Sequence, residues 1–166
     1  KNRAFTYIEI LIAVVMLGMV LIPLLSQFYI GFKGNVTSEL VTKSVDLAEE
    51  LIEEIRSKQF DEHLYPEEPV AFASLGIDAG EDANDRRTFD DVDDYNNWQK
   101  SPPQAVDGTV LSEFSGFSRS VIVDYVNLSG PQWVHSDTAT YYKRIRVFVL
   151  HPKISQRVLE TIVSDY

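Results

Sequence analysis

From Ile10 to Phe32 the chain carries no charged residue, a run of 23. No other feature restricts the fold as much. At 1.5 Å per residue a helix of that run is about 34 Å long, and about 20 apolar residues suffice to cross a hydrocarbon core. The run exceeds the ~7–15 apolar residues of a secretory signal peptide, and Ser26-Gln27-Phe28 makes a poor cleavage site. It reads as a retained membrane helix. Lys1 and Arg3 precede it and only Lys33 lies just beyond, so the positive-inside tendency puts the N-terminus in the cytoplasm and exports the rest. Glu9 stands between Ile8 and Ile10 at the start of this span. A carboxylate there costs a few kcal/mol unless it finds a partner or reaches the interface. The functional reading is a charge kept for pairing; the bland one is a side chain reaching water.

Gly18 and Pro23 fall inside the run, and proline removes a backbone donor, so a kink is expected near Met19–Pro23. Gly31 and Gly34 mark a second soft point. From Asn35 to Lys58 the helical signal returns in amphipathic form. Val41, Val45, Ala48, Ile52 and Ile55 recur at spacings of four and three, and Leu40, Leu47 and Leu51 widen the stripe. Asp46, Glu49, Glu50, Glu53 and Glu54 take the other side, with Glu39–Lys43 and Glu54–Lys58 as favourable i,i+4 pairs.

Between Phe60 and Pro103 prolines interrupt the chain and no helical or strand period is seen. Residues 78–94 hold eight acids against two bases, Arg86 and Arg87, which is six of the net ten negative charges. Strand alternation follows at Val121–Val126, at Arg144–Val149 and at Val158–Val163. Asn127–Thr140 reads as a long connection and His151-Pro152 through Gln156 as a hairpin turn. The expected fold is α+β: a long N-terminal helix, apolar then amphipathic, packed on a C-terminal antiparallel sheet of three or four strands. Alternation with one polar face implies a sheet buried on one side. The expected divisions are 5–34 for the membrane helix, 35–58 for its amphipathic continuation, 59–108 for an acidic loop and 109–166 for the sheet.

The chain has no cysteine, which excludes disulfides, thiolate zinc and a cysteine nucleophile. Its net charge of −10 argues against nucleic acid as a partner. His63, His135 and His151 lie far apart, and no metal-hydrolase, serine-elbow or phosphate-loop spacing occurs, so no enzyme is expected. The acidic loop is the one candidate for a cofactor. Hard cations take six to eight oxygens, and Asp90, Asp91, Asp93 and Asp94 are the candidate calcium ligands, with Asp82 and Asp85 next. The EF-hand pattern fails there, because its glycine is missing, and a solvated loop or one locked by Arg86 and Arg87 is the bland reading. Lys143, Arg144 and Arg146 form the basic cluster, expected to pair with that loop, with Lys143 on the opposite strand face from the two arginines.

Ala4-Phe5-Thr6-Tyr7-Ile8-Glu9 followed by the uncharged helix resembles the processing motif of type IV prepilins. In that family a peptidase cuts a short basic leader before an aromatic residue, the new amine is methylated, and the fifth mature residue is glutamate. Phe5 and Glu9 match that spacing; Ala4 stands for the usual glycine and Tyr7 for the usual leucine. Leu47–Ile55, Lys58–Glu62, Phe89–Tyr95, Lys143–Val147 and His151-Pro152 are similar to minor pilins of the mannose-sensitive haemagglutinin pilus. The resemblance implies residues 1–4 as leader, Ala4 and Phe5 as processing and methylation positions and Glu9 as the assembly residue. Gly18 and Pro23 would bracket a stretch of the helix that loosens in the filament. It implies a bacterial inner-membrane subunit with a periplasmic head, entering or priming a filament. The implied partners are other pilin or pseudopilin subunits, the prepilin peptidase/N-methyltransferase and inner-membrane assembly machinery. A type II secretion pseudopilin is the alternative within the superfamily. From another class, the alternative is a membrane-anchored calcium- or ligand-binding module that does not assemble.

Overall fold

The computed structural model describes residues 6–60, 75–78 and 80–165. Ala4, Phe5 and His63 lie outside the described residues. The chain divides into two compact units, Lys1–Leu40 and Val41–Tyr166, and one helix, α1 (Tyr7–Arg56, 50 residues), contributes to both.

In the first unit α1 has no apolar side chain buried: Leu17 is 58% exposed and Phe28 70%. The helix stays regular through Gly18, Pro23, Gly31 and Gly34. Pro23 has no N–H to give the Met19 carbonyl. The expected soft point is thus a missing ladder bond inside an assigned helix. The Ser26 hydroxyl donates to the Ile22 carbonyl at 3.0 Å beside it.

In the second unit α1 buries Ser44, Leu47, Ala48, Leu51, Ile52 and Ile55. The stripe is centred on Leu47, Leu51 and Ile55, each 1% exposed or less, while Val45, expected in it, is exposed. Each such side chain contributes about 1.5–3 kcal/mol of transfer free energy. The helix ends with the Ser57 hydroxyl on the Glu54 carbonyl at 2.6 Å. Glu54 and Lys58 do not pair as expected. Glu54 turns to Arg86, and the Lys58 ammonium donates to the Phe89 carbonyl.

Opposite the helix is an antiparallel sheet of five strands: β1 (Gln99–Lys100), β2 (Ser118–Ser129), β3 (Gln132–His135), β4 (Tyr142–His151) and β5 (Ile154–Ser164). The order is β1-β2-β4-β5, with β3 paired to the far end of β2. The layout is therefore the α+β one expected, with two short strands added. Val121 opposes Val147 and Val123 opposes Ile145, and these four form the centre of the core with α1. The connection expected over Asn127–Thr140 contains β3. Gly130, at φ 61°, allows a two-residue turn with Pro131, so that Ser129 meets Gln132. At the other hairpin His151 pairs with Ile154 around Pro152-Lys153, a tighter turn than expected.

The acidic segment is also part of the head's interior. Phe89, Val92, Tyr95 and Trp98 are 0–5% exposed. They recur every third residue, the period at which side chains line up in a 3-10 helix, and Asp93–Tyr95 is a 3-10 turn. The segment docks at the end of α1, where the Gln59 amide donates to Asp90 and the Val92 amide to Gln59.

Candidate functional site

At the start of α1, Thr6 precedes the first helical residue and Glu9 sits three positions later. The Glu9 carboxylate accepts the Thr6 amide at 2.9 Å and the Thr6 hydroxyl at 2.8 Å. Thr-x-x-Glu at this place is the reciprocal half of a capping box, which satisfies an N–H the helix leaves over. Glu9 therefore has a local role that the pairing argument did not include, although its Thr6-Tyr7-Ile8-Glu9 signature stands in the sequence. From Tyr7 to Phe32 the side chains around it are exposed and, apart from Glu9 itself, carry no charge. A stretch of this helix meets the length and hydropathy needed to cross a membrane.

The second place is the acidic segment. Its four candidate calcium ligands do not converge. Asp93 forms an ion pair with Lys143, both buried. The Lys143 ammonium also donates to the Phe60 carbonyl at 2.6 Å and lies 4.6 Å from the Phe60 ring. Asp91, buried, accepts the amides of Asp93 at 2.9 Å and Asp94 at 3.3 Å. Burial, then the Asp93 and Asp94 carboxylates, push its carboxyl up to about 7 against the pull of Lys143. Asp94 accepts the amides of Asp90 and Asp91 through Oδ2, each at 3.0 Å. Burial and then the Glu81 carboxyl push Asp94 to about 7 as well. Asp90 and Asp94 do come together, but with Glu81: one carboxylate oxygen from each lies within 4.8 Å of the others. Asp85 is held down to about 2 by Arg87, which binds it at 2.6 and 2.8 Å. Asp82 instead accepts the Asn84 amide at 2.9 Å.

Charges that the sequence pattern placed elsewhere join the segment to α1. Arg86, 3% exposed, binds Glu54 at 2.8 Å and the Gln104 carbonyl at 2.6 Å, with its guanidinium 4.7 Å over the Trp98 ring. The Tyr95 hydroxyl donates to the other Glu54 oxygen at 2.8 Å. Arg119 reaches the same Gln104 carbonyl at 2.6 Å and the Leu47 carbonyl at 3.2 Å. The basic cluster splits as its alternation requires. Lys143 enters the core and meets the acidic segment. Arg144 and Arg146 stay on the outer face, where both bind Asp124 of β2 at 2.6–3.2 Å. His135 has one ring nitrogen on Asp124 and the other on Asp137, at 3.1 and 3.2 Å. His151 stacks on Phe117 with centroids 4.6 Å apart.

A scan against protein-family models, a search of curated proteins and a search of solved structures each found no match to this chain.

Proposed function

We propose that the chain is a minor subunit of a type IV pilin-like filament, a structural protein rather than an enzyme. Its N-terminal helix would hold it in the bacterial inner membrane, N-terminus in the cytoplasm and head in the periplasm, before assembly. The observation that carries this reading is the division of one unbroken helix. Tyr7–Arg56 presents an apolar, wholly exposed length with one carboxylate at its start, then a buried stripe under a sheet. An apolar surface on every side suits lipid first and neighbouring helices afterwards. The resemblance of Phe5 to Glu9 to the prepilin motif supplies the assembly step: cleavage before Phe5 creates an amine for a neighbour's Glu9, in a register the pair would select.

The capping box makes the test sharper. Glutamine at this position keeps the cap and removes the charge, whereas alanine removes both. Glu9→Ala and Glu9→Gln should each be made and held in the membrane, and each should be missing from sheared filaments. Subunit content in the two fractions is the measurement. Normal incorporation of Glu9→Gln would reduce Glu9 to a helix cap. Normal incorporation of both variants would remove Glu9 from assembly, and absence of the parent itself from sheared filaments would favour an anchored module that does not assemble.

A further inference from the structure

The pair of carboxyls at Glu81 and Asp94 is chemically incomplete. Asp94 is 1% exposed, and while its Oδ2 holds two amides, its Oδ1 has no hydrogen-bond partner among the described residues. Glu81 is in the same condition: Oε2 accepts the Asp78 amide at 3.1 Å, and buried Oε1 has none. A buried acceptor with nothing to accept costs about 1–3 kcal/mol, more when charged. Two of them belong to one cluster, with Asp90 exposed at its mouth. Among the described residues no Lys, Arg or His pairs with any of the three. The nearby cations are committed elsewhere: Arg86 to Glu54, Arg87 to Asp85, Lys143 to Asp93.

We propose that Glu81, Asp90 and Asp94 form a binding site for a divalent cation of the calcium type. Their ligand oxygens lie within 4.8 Å of one another, which fits inside the ~5 Å between opposite oxygens of a shell with bonds of about 2.3–2.6 Å. Asp94 and Glu81 each supply their one free oxygen and Asp90 one or two, which makes three or four of the six to eight required, and water completes the shell on the open side, by Asp90. The two amides on Asp94 Oδ2 fix that carboxylate, so its free oxygen is oriented before the ion arrives. The ion would tie the turn at Glu81 to the 3-10 turn holding Asp93 and Asp94, and through that turn to Lys143 on β4. Asp91 and Asp93 stay out of the shell, because amides and an ammonium already occupy them. With few ligands and one open side the affinity belongs with extracellular modules, at a Kd of roughly 10⁻⁴–10⁻³ M.

The test uses the full chain in detergent micelles, titrated with calcium chloride by calorimetry and melted with and without it. One saturable site is expected, with a rise in melting temperature of about 3–8 °C in roughly 10 mM calcium. Glu81→Gln and Asp90→Asn should weaken binding at least tenfold, by a general estimate of about 1.4 kcal/mol or more per lost ligand. Neither touches the two backbone amides that hold Asp94 Oδ2, so both should fold. Glu81→Gln should melt higher than the parent without calcium, since its amide can donate to Asp94. Asp137→Asn, on the exposed far side of His135, should respond as the parent does. Absence of heat and of any melting shift would overturn the site in favour of a proton shared by Glu81 and Asp94. Parent-like calcium responses in Glu81→Gln and Asp90→Asn would overturn it in favour of diffuse binding to an acidic surface.

Discussion

The two lengths of α1 are rich in the same residues and meet opposite environments. Leu11, Leu17 and Leu24 are 49–58% exposed, whereas Leu47 and Leu51 are buried to within 1%. Apolar content does not separate them. What differs is the placement of charge. Asp46, Glu49, Glu50 and Glu53 mark an outside for the second length, and the apolar side is thereby committed to the sheet. The first length has no polar face, and none of its apolar side chains is buried among the described residues. An apolar surface of this length suits lipid or other helices. A single helix thus has one half made stable by its own head and another whose environment must come from elsewhere.

The sharpest way to break that contrast is at the charge buried with the second length. Lys143→Met leaves Asp93 unpaired in the interior and should cost about 3–5 kcal/mol, measured by denaturant unfolding followed through tryptophan fluorescence. Adding Asp93→Leu should recover most of the loss, because it removes the stranded Asp93 charge and relieves Asp91 of a neighbouring carboxylate. A double variant as unstable as the single would show that the pair is needed for more than mutual neutralisation. Next comes the contrast itself. Leu51→Ala should destabilise the head by about 2–5 kcal/mol, and Leu17→Ala should change head unfolding by about 0.5 kcal/mol or less. Equal losses from the two would erase the distinction.

A smaller effect is expected on the sheet's outer face. Burial would raise Asp124, but hydrogen bonds from Arg144 and His135, with both arginine charges, bring its carboxyl below the ordinary value. A carboxyl depressed in the folded state stabilises it fully above the unfolded pKa, near 3.9, and loses that contribution as pH falls through the folded one. The head should weaken on acidification below about pH 4, and Asp124→Asn should flatten that limb while lowering stability at neutral pH. A limb unchanged by the substitution would assign acid sensitivity to other carboxyls. Smallest of all is Arg56→Ala. Its pair with Glu53, at 2.7 Å, has side chains 50% and 68% exposed, and its loss should shift unfolding by about a few tenths of a kcal/mol at most.

Much of this architecture is legible in the residues. The charge-free run, the stripe ending at Ile55 and the alternations of β2, β4 and β5 each follow a period that one face of an element imposes. The acidic segment was misread for a physical reason. Eight carboxyls between residues 78 and 94 look like a solvated loop to any test of average polarity. Yet Phe89, Val92, Tyr95 and Trp98 carry a three-residue repeat with Asp or Asn pairs between them. A search for periods of 3.6 and 2 passes over it. The cation cluster was missed differently. Asp90 and Asp94 were in view, but Glu81 joins them through a fold of the chain that no local spacing encodes. Glu54 shows the same limit: its position on α1 reads as solvent-facing, and only the return of Arg86 and Tyr95 buries it.

Lys143 carries a consequence for the order in which the head comes into being. Its ammonium meets the Phe60 carbonyl across 83 positions of chain and Asp93 across 50, and Arg119 meets Leu47 across 72. Closing loops of that length is entropically slow, and interiors made of such distant pairs fold late. During synthesis, helix and acidic segment both emerge well before strand β4. Until that strand arrives, Asp93 lacks the ammonium it pairs with in the folded head, and burying it unpaired would be costly. Closure of the head's interior therefore needs its C-terminal third, because the ammonium that neutralises Asp93 is carried by β4.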